Sequence, residues 1–469
     1  MTQGNIDAIV VGGGVSGLTA AFYLRKRGFT VEVLEAADKV GGVIASHRRD
    51  GVLWESGPNS TLDTTPLINE TLEAAGILGE RLDGSAASAR RFVIKGAQPV
   101  ALPGSAGAFA TTGLFSLGAK LRLFKEPFIA ASPAELEETV ADFVRRRLGR
   151  EFLDYAIEPF VSGIYAGDPE LLSVRAAFPK LHALEQRYGS LIKGQILGAR
   201  ERKRRGTAAA NTAKSFSFRE GMQTLTDALA RGVERIEFGV RVTRLTRCDD
   251  GRFRIFAQRG NEHLERSAPV VVLAVPASEA ARIVGEVAPE ASRALAAIDY
   301  NPVAVVASAY RREDIAHPLD GFGFLAPGVE GRAVLGTLFS TSMFDGRAKP
   351  GTVLLTTFVG GRRNPAIAAA PREEIERAVF AEHAALLGAK ALPLWCEITR
   401  WPAAIPQYAL GHLGRIASVE GAETALPGLY FCSGYRGGVA VGDRLRNGHA
   451  IAESATGLLS GVVAEARAA

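Results

Sequence analysis

The sequence predicts an α/β chain, α+β overall, made of three interleaved parts: a parallel-sheet domain, an antiparallel-sheet domain and a helical subdomain. Three observations predict it. Ala8 to Glu35 reads as strand, Gly-rich turn, helix and second strand; alternating strands such as VAVVASAY and TVLLTTFV recur between Ala304 and Trp401; and a helical pattern fills the stretch from about Pro103 to Leu197.

The first unit is the most informative. The apolar run Ile6 to Val11 has the character of a buried parallel strand, and Gly12, Gly14 and Gly17 follow at once. Gly12 permits the tight turn, Gly14 lets the backbone approach a pyrophosphate, and Gly17 lets the helix that opens on Ser16 and Gly17 pack closely on the strand. The helix N-terminus offers unpaired N–H groups and a positive dipole to phosphates. A second strand, Thr30 to Leu34, ends on Glu35, whose carboxylate is placed to accept hydrogen bonds from a ribose diol. The unit is therefore Rossmann-like and binds a dinucleotide. The segment AADKVGGVIAS then brings the adjacent pair Gly41 and Gly42, and resembles the pattern that FAD oxidoreductases of the amine-oxidase type place beside pyrophosphate and flavin. In WESGPNS, Gly57 and Pro58 fix the backbone and Asn59 offers an amide; a surface β-turn and a flavin contact both fit.

Composition limits the remaining choices. A chain of 469 residues, 47% hydrophobic, calls for two or three domains and is globular. The net charge of +5 suits an anionic partner, a carboxylate-bearing substrate or acidic lipid, and no nucleic-acid motif accompanies it. Cys248, Cys396 and Cys432 are few, odd in number and widely spaced, which speaks against a disulfide framework and for a reducing, cytoplasmic setting. No metal cluster is expected. The first strand begins at about residue 6, leaving no room for a leader in this reading. The longest uncharged stretch, Gly96 to Ala119, holds Pro99, Pro103 and five Gly and makes a poor transmembrane helix. Phe109, Leu114, Phe115, Leu117, Leu121, Leu123, Phe124 and Phe128, with the basic run Arg200, Arg202, Lys203, Arg204 and Arg205, fit two readings. One is a face laid peripherally on an anionic inner membrane; the other is a helical core with a solvated basic loop.

Further along, Ser132 to Gly149 is predicted as one helix, with a Ser cap, Pro at the first position and a stop at Gly149. Strand character returns at Ser215 to Phe218, between Ile236 and Ile255, and in the apolar run Val270 to Pro276. The tail from Gly428 to Leu459 is a strand, a Gly-rich turn and a helix. The domains are expected to be woven: nucleotide binding at 1–88, 215–288 and 405–469, substrate binding at 89–102, 198–214 and 289–404, and the helical subdomain at 103–197.

Four further blocks carry a family resemblance: EPFVSGIYAGDPELLSVRAAF, SFSFREGMQTLTDAL, LGTLFSTSMFDGRAKPGTVLLTTFVG, and WPAAIPQYALGH with YRGGVAVG. With the fingerprint, they make the chain similar to the oxygen-dependent protoporphyrinogen oxidases over nearly its whole length. The resemblance implies a hydroxybenzoate-hydroxylase-type FAD domain, noncovalent FAD, a porphyrinogen substrate and O2 as partners, H2O2 as by-product, and allows a homodimer. It implies that Arg91 meets a propionate, that Leu325 and Phe344 clamp the macrocycle, and that Gly163 and Gly167 bring backbone near it. For FAD it implies Val242 at the adenine and Trp401 near the flavin, with Gly434, Val441, Gly442 and Asp443 forming the tail turn and helix start. No catalytic side chain is assigned, because the flavin carries the organic chemistry. Coproporphyrinogen oxidation, flavin amine oxidation and a catalytically silent binding role remain as alternatives.

Overall fold

In the computed structural model, which describes residues 6–205 and 214–468, the first strand is Ala8–Val11 and the first helix Val15–Lys26. Five short strands pair in parallel in the order Arg235–Glu237, Val31–Leu34, Ala8–Val11, Val270–Leu273, Leu429–Phe431. Both faces of this sheet are covered, which is why its inner strands Ala8–Val11 and Val270–Leu273 read as continuous apolar runs and not as alternating ones. On one face the first helix packs against the tail helix, Val441–Ala468, with Gly448 set so close to the Ser16 carbonyl that a Cβ there would lie 2.6 Å from it.

The second large sheet has seven strands, ordered Trp395–Pro406, Tyr300–Arg311, Thr352–Gly360, Gly336–Phe339, Gly323–Leu325, Phe92–Lys95, Gln98–Ala101. It is antiparallel except where Gly323–Leu325 runs parallel to Phe92–Lys95, so the early segment is inserted as a neighbour from another part of the chain. Period-2 alternation then separates the two faces. Phe92, Phe324, Val306 and their neighbours go into a core under the helix Arg372–Leu387. In that core His383 is wholly buried between the Tyr310 hydroxyl (3.0 Å) and the Thr357 hydroxyl (2.8 Å), and burial pushes its pKa down to about 3. The ring is therefore neutral, as a buried imidazole must be without an anion beside it.

The helical part corrects one prediction. No helix starts at Ser132; the helix is Val140–Arg147, capped by the Thr139 hydroxyl, which accepts from the Asp142 amide at 3.0 Å. The physical reason is competition for backbone. Thr139 bridges to Ser173, Val140 N–H donates to the Leu172 carbonyl and Val174 N–H to the Glu138 carbonyl, so residues before 140 serve a neighbouring segment. The candidate apolar face also divides in two. Leu114 and Phe115 are buried with Phe109 and Leu123 packed on them, whereas Leu117, Leu121, Phe124 and Phe128 are exposed, Phe128 at 86%. Arg200 is exposed on the helix Leu191–Arg205, and the side chains of Arg202, Lys203, Arg204 and Arg205 lie outside the described part. Among the described residues no helix is long and apolar enough to cross a membrane.

Candidate functional site

The site starts at the carboxyl ends of the parallel strands, where open α/β sheets bind ligands. Gly12 has φ +105°, and a Cβ there would press on the Ala274 carbonyl oxygen at 2.8 Å. A Cβ at Gly17 would stand 2.1 Å from the Gly12 carbonyl oxygen and 2.9 Å from the Ala274 methyl. Gly14 is the opposite case: nothing lies within 4 Å of its Cβ position, so the turn is packed on its protein side and open on the other. Ser16 is buried one residue into the helix.

The neighbouring glycine pair completes this mouth. Gly41 N–H donates to the Gly13 carbonyl at 2.9 Å, Gly14 and Gly41 form a parallel bridge, and Gly41 and Gly42 both have positive φ. Two chain segments thus meet with no side chain between them. Glu35 is held at the edge by two amides, Gly13 N–H at 2.5 Å and Ala37 N–H at 2.7 Å. A carboxylate has lone pairs left beyond two such bonds, so it retains capacity for a diol.

The flavin-side candidates converge from distant segments. Gly57 lies so close to the Val43 carbonyl oxygen that a Cβ would stand 1.9 Å from it, and Asn59 donates to the Gly57 carbonyl at 3.2 Å around Pro58. Trp401 Nε1–H donates to the Ser56 carbonyl at 2.7 Å, tying the seven-stranded sheet to this turn. Gly442 opens the tail helix against Ile68. Val441 is buried beside it. The Asp443 carboxylate caps this helix, accepting from Ala440 N–H at 3.3 Å, and pairs with Arg446 at 2.8 Å. Val242 lies on the strand Arg241–Arg247, and its carbonyl accepts from Arg282 at 2.7 Å.

The sheet face turned away from the His383 core presents a row across five strands: Leu325, Gly336, Phe358, Val305 and Thr399. Phe358, Trp401, Ala404 and Ile405 are only partly buried there, against Ala166, Val303, Val305 and Leu335. The helix Glu158–Tyr165 lies over this face, and a Cβ at Gly163 would touch Leu325 at 2.9 Å. Gly167 follows the helix, with the Gln407 side-chain oxygen 2.6 Å from its Cβ position. Between them Ala166 has φ +46°, a left-handed conformation costly for Ala, and its carbonyl accepts from Asn301 at 2.8 Å and from Arg362 N–H at 2.8 Å.

Charge on this side is sparse. Arg90 pairs with Asp320, and Arg363 is neutralised by Glu158 at 3.0 Å. Burial raises the Glu158 pKa, opposed by Arg363. Arg91, in contrast, packs its guanidinium over the Phe322 ring at 5.0 Å, and its only perturbation is desolvation, which pushes its pKa down. Phe344 is 2% exposed, with Arg347 over its ring at 5.3 Å, so the structure places it in the packed interior beside Arg347 and not in the Leu325 row.

Phe358, Asn301, Gln407 and Tyr408 were not legible as site residues. Their partners come from far along the chain. The IPQY segment after Trp401 was the one local signal, since a Gln and a Tyr ending an apolar strand must find polar partners if buried.

A model of the flavin-containing amine oxidoreductases matches residues 15–454. The chain is 32% identical to the mitochondrial protoporphyrinogen oxidase of Nicotiana tabacum over 94% of this chain and 92% of that one. It is 28% identical to the coproporphyrinogen III oxidase of Bacillus subtilis (strain 168) over 97% and 99% of the two chains. Among solved structures, a protein from Exiguobacterium sp. 255-15 superposes with a TM-score of 0.81 at 24% identity, covering 96% of this chain and 98% of that one.

Proposed function

The chain belongs to the flavin-containing amine oxidoreductase family, and from that membership we propose that it is an FAD-dependent protoporphyrinogen oxidase. The cleft fits FAD: the glycine turn is closed toward protein and open at Gly14, with Glu35 at its edge. In this reading the amides at the start of Val15–Lys26 hold the pyrophosphate, and the amides opening Val441–Ala468 favour negative charge on the flavin. Bound FAD supplies a two-electron acceptor, used three times per porphyrinogen and reoxidised each time by O2 to H2O2.

What the protein's own residues do follows from their chemistry. Leu325, Phe358 and Trp401 give a flat apolar wall that orients a macrocycle and excludes water. Arg91 supplies a bidentate cation for a propionate.

The observation that carries the substrate is the Arg91 guanidinium, which has no carboxylate partner among the described residues and stands just before the strand Phe92–Lys95, where Val93 pairs with Leu325. Coproporphyrinogen has two more propionates and would call for further free cations, whereas Arg90 and Arg363 here are already paired. Arg91→Ala is expected to raise KM for protoporphyrinogen about tenfold or more with bound FAD unchanged, because a lost propionate contact removes binding more than chemistry. Loss of FAD from that variant would show that Arg91 serves the cofactor instead. The reading as a whole is tested by mixing the FAD-loaded protein with protoporphyrinogen without oxygen. Bleaching of the flavin absorbance supports it, and an unchanged spectrum counts against it.

The same proposal places the exposed residues Leu117, Leu121, Phe124 and Phe128 on an anionic membrane surface. Lys125 is exposed among them and Lys193 lies 5.9 Å from the Phe128 ring. Replacing Phe124 and Phe128 together by Ser is expected to abolish co-sedimentation with phosphatidylglycerol vesicles. Undiminished sedimentation would remove this face from the account.

A further inference from the structure

Tyr408 stands where the two sides of the site meet. Its hydroxyl donates to the Gly434 carbonyl at 2.9 Å and accepts from the Gly438 amide at 3.0 Å, bracketing the turn that leads into the tail helix. Within that turn Gly437 and Gly438 carry φ +71° and +107° and no side chains; Arg444 and Asn447 donate to the Arg436 carbonyl at 3.0 and 2.8 Å and Arg446 to the Gly437 carbonyl at 3.1 Å, while the Gly438 amide is met by Tyr408. The Tyr408 ring stacks on His412 at 4.2 Å and 15°, and His412 Nε2 lies 2.9 Å from the Tyr435 carbonyl oxygen. Burial pushes the His412 pKa down to about 4. The ring is thus neutral, and its one proton sits on Nε2, because a carbonyl can only accept.

On the other side, Tyr408 packs on Tyr165 at 5.6 Å, and its backbone carbonyl accepts from Ser173 N–H at 2.8 Å. The adjacent Gln407 donates to the Tyr165 carbonyl at 2.8 Å. One dipeptide therefore grips both residues 165–173, over the apolar sheet face, and residues 434–438, before the tail helix.

We propose that Tyr408 is a positioning residue for the flavin: its hydroxyl fixes the 434–438 turn, and with it the aim of the tail-helix amides, relative to segment 165–173. This rests on the FAD reading above. The ring alone does not suffice. Phe would keep the stack on His412 and the contact with Tyr165, yet leave the Gly438 amide without its acceptor and the Gly434 carbonyl without its donor.

The test compares Tyr408→Phe with wild type after reconstitution with FAD, reading FAD Kd, the two-electron midpoint potential of the FAD-saturated protein, and Tm without FAD. Kd is expected to rise about tenfold and the potential to move negative, because misaimed dipoles stabilise reduced flavin less well. A purely scaffolding role would lower Tm and leave the saturated protein's potential where it was; that result, or an unchanged Kd, overturns the proposal. If the Phe variant does not fold, His412→Gln, which removes the stack but keeps a donor, is expected to move the potential in the same direction, and no movement overturns the proposal. Wild-type protein that takes up no FAD overturns the FAD reading itself, an outcome distinct from the others.

Discussion

Gly17→Ala will fold poorly and purify without FAD. The added methyl would stand 2.1 Å from the Gly12 carbonyl oxygen, 2.9 Å from the Ala274 methyl and 3.1 Å from a Val10 methyl. Two of these belong to the central strands or their ends and one to the turn itself, so none is the free end of a flexible side chain. The helix must lift from the sheet, carrying with it the N-terminal amides proposed above to hold the pyrophosphate. Overpacking of a tight core costs about 1–3 kcal/mol, and here the loss falls on the binding turn as well, so FAD affinity is expected to drop about 100-fold or more. Gly14→Ala separates the two effects. Its φ is −74° and its Cβ position is free of protein atoms, so it should fold as wild type by circular dichroism and still lose FAD. Flavin content after gel filtration reads both. A Gly14→Ala protein that keeps FAD would mean the cofactor does not approach this turn.

Arg147→Met carries the second large effect, on the helical part. Arg147, Glu126 and Glu185 are all fully buried. Arg147 bonds to Glu126 at 3.2 Å, to the Ile129 carbonyl at 3.0 Å and also to Glu185, while Arg146 reaches Glu185 at 2.8 Å. Glu126 in turn accepts from the Ser190 hydroxyl and from the amides of Leu191 (2.8 Å) and Ile192 (3.2 Å), capping the helix Leu191–Arg205. Removing the central cation leaves Glu126 buried with no cation and Glu185 with Arg146 alone; breaking such a buried pair typically costs about 3–5 kcal/mol. Urea unfolding with limited proteolysis should show residues 123–205 opening first, with flavin still bound to the rest. Unchanged stability would mean that water reaches these carboxylates.

Legibility in the sequence followed the range of the interaction. The parallel-strand unit was readable because its requirements are local: Gly12, Gly14, Gly17 and Glu35 are set by one turn and one strand end. The start of the helix at Val140 was not, since Ser132 offered an equally good cap and only the pairing of Thr139 with Ser173 decides between them. The triad around Arg147 draws on three separate helices or turns, and nothing in RRRLG marks one of three arginines as buried. Asn301 and Gln407 became site residues only because Ala166 and Tyr165 present carbonyls to them. Phe344 matched a family position, yet its ring is packed under Arg347, a contact set by how the strand Ser215–Phe218 and the Arg347 loop meet, with Arg347 donating to the Ser217 hydroxyl at 2.6 Å.

The most direct test offers anaerobically prepared protoporphyrinogen and coproporphyrinogen separately to the FAD-loaded protein, admits air, and follows porphyrin fluorescence and H2O2 together. Protoporphyrin is expected to form with about three H2O2 per macrocycle, one for each pair of electrons passed to O2 by the flavin, and coproporphyrinogen to turn over more slowly. Faster turnover of coproporphyrinogen, or porphyrin appearing no faster than in an enzyme-free control, would contradict the proposed function.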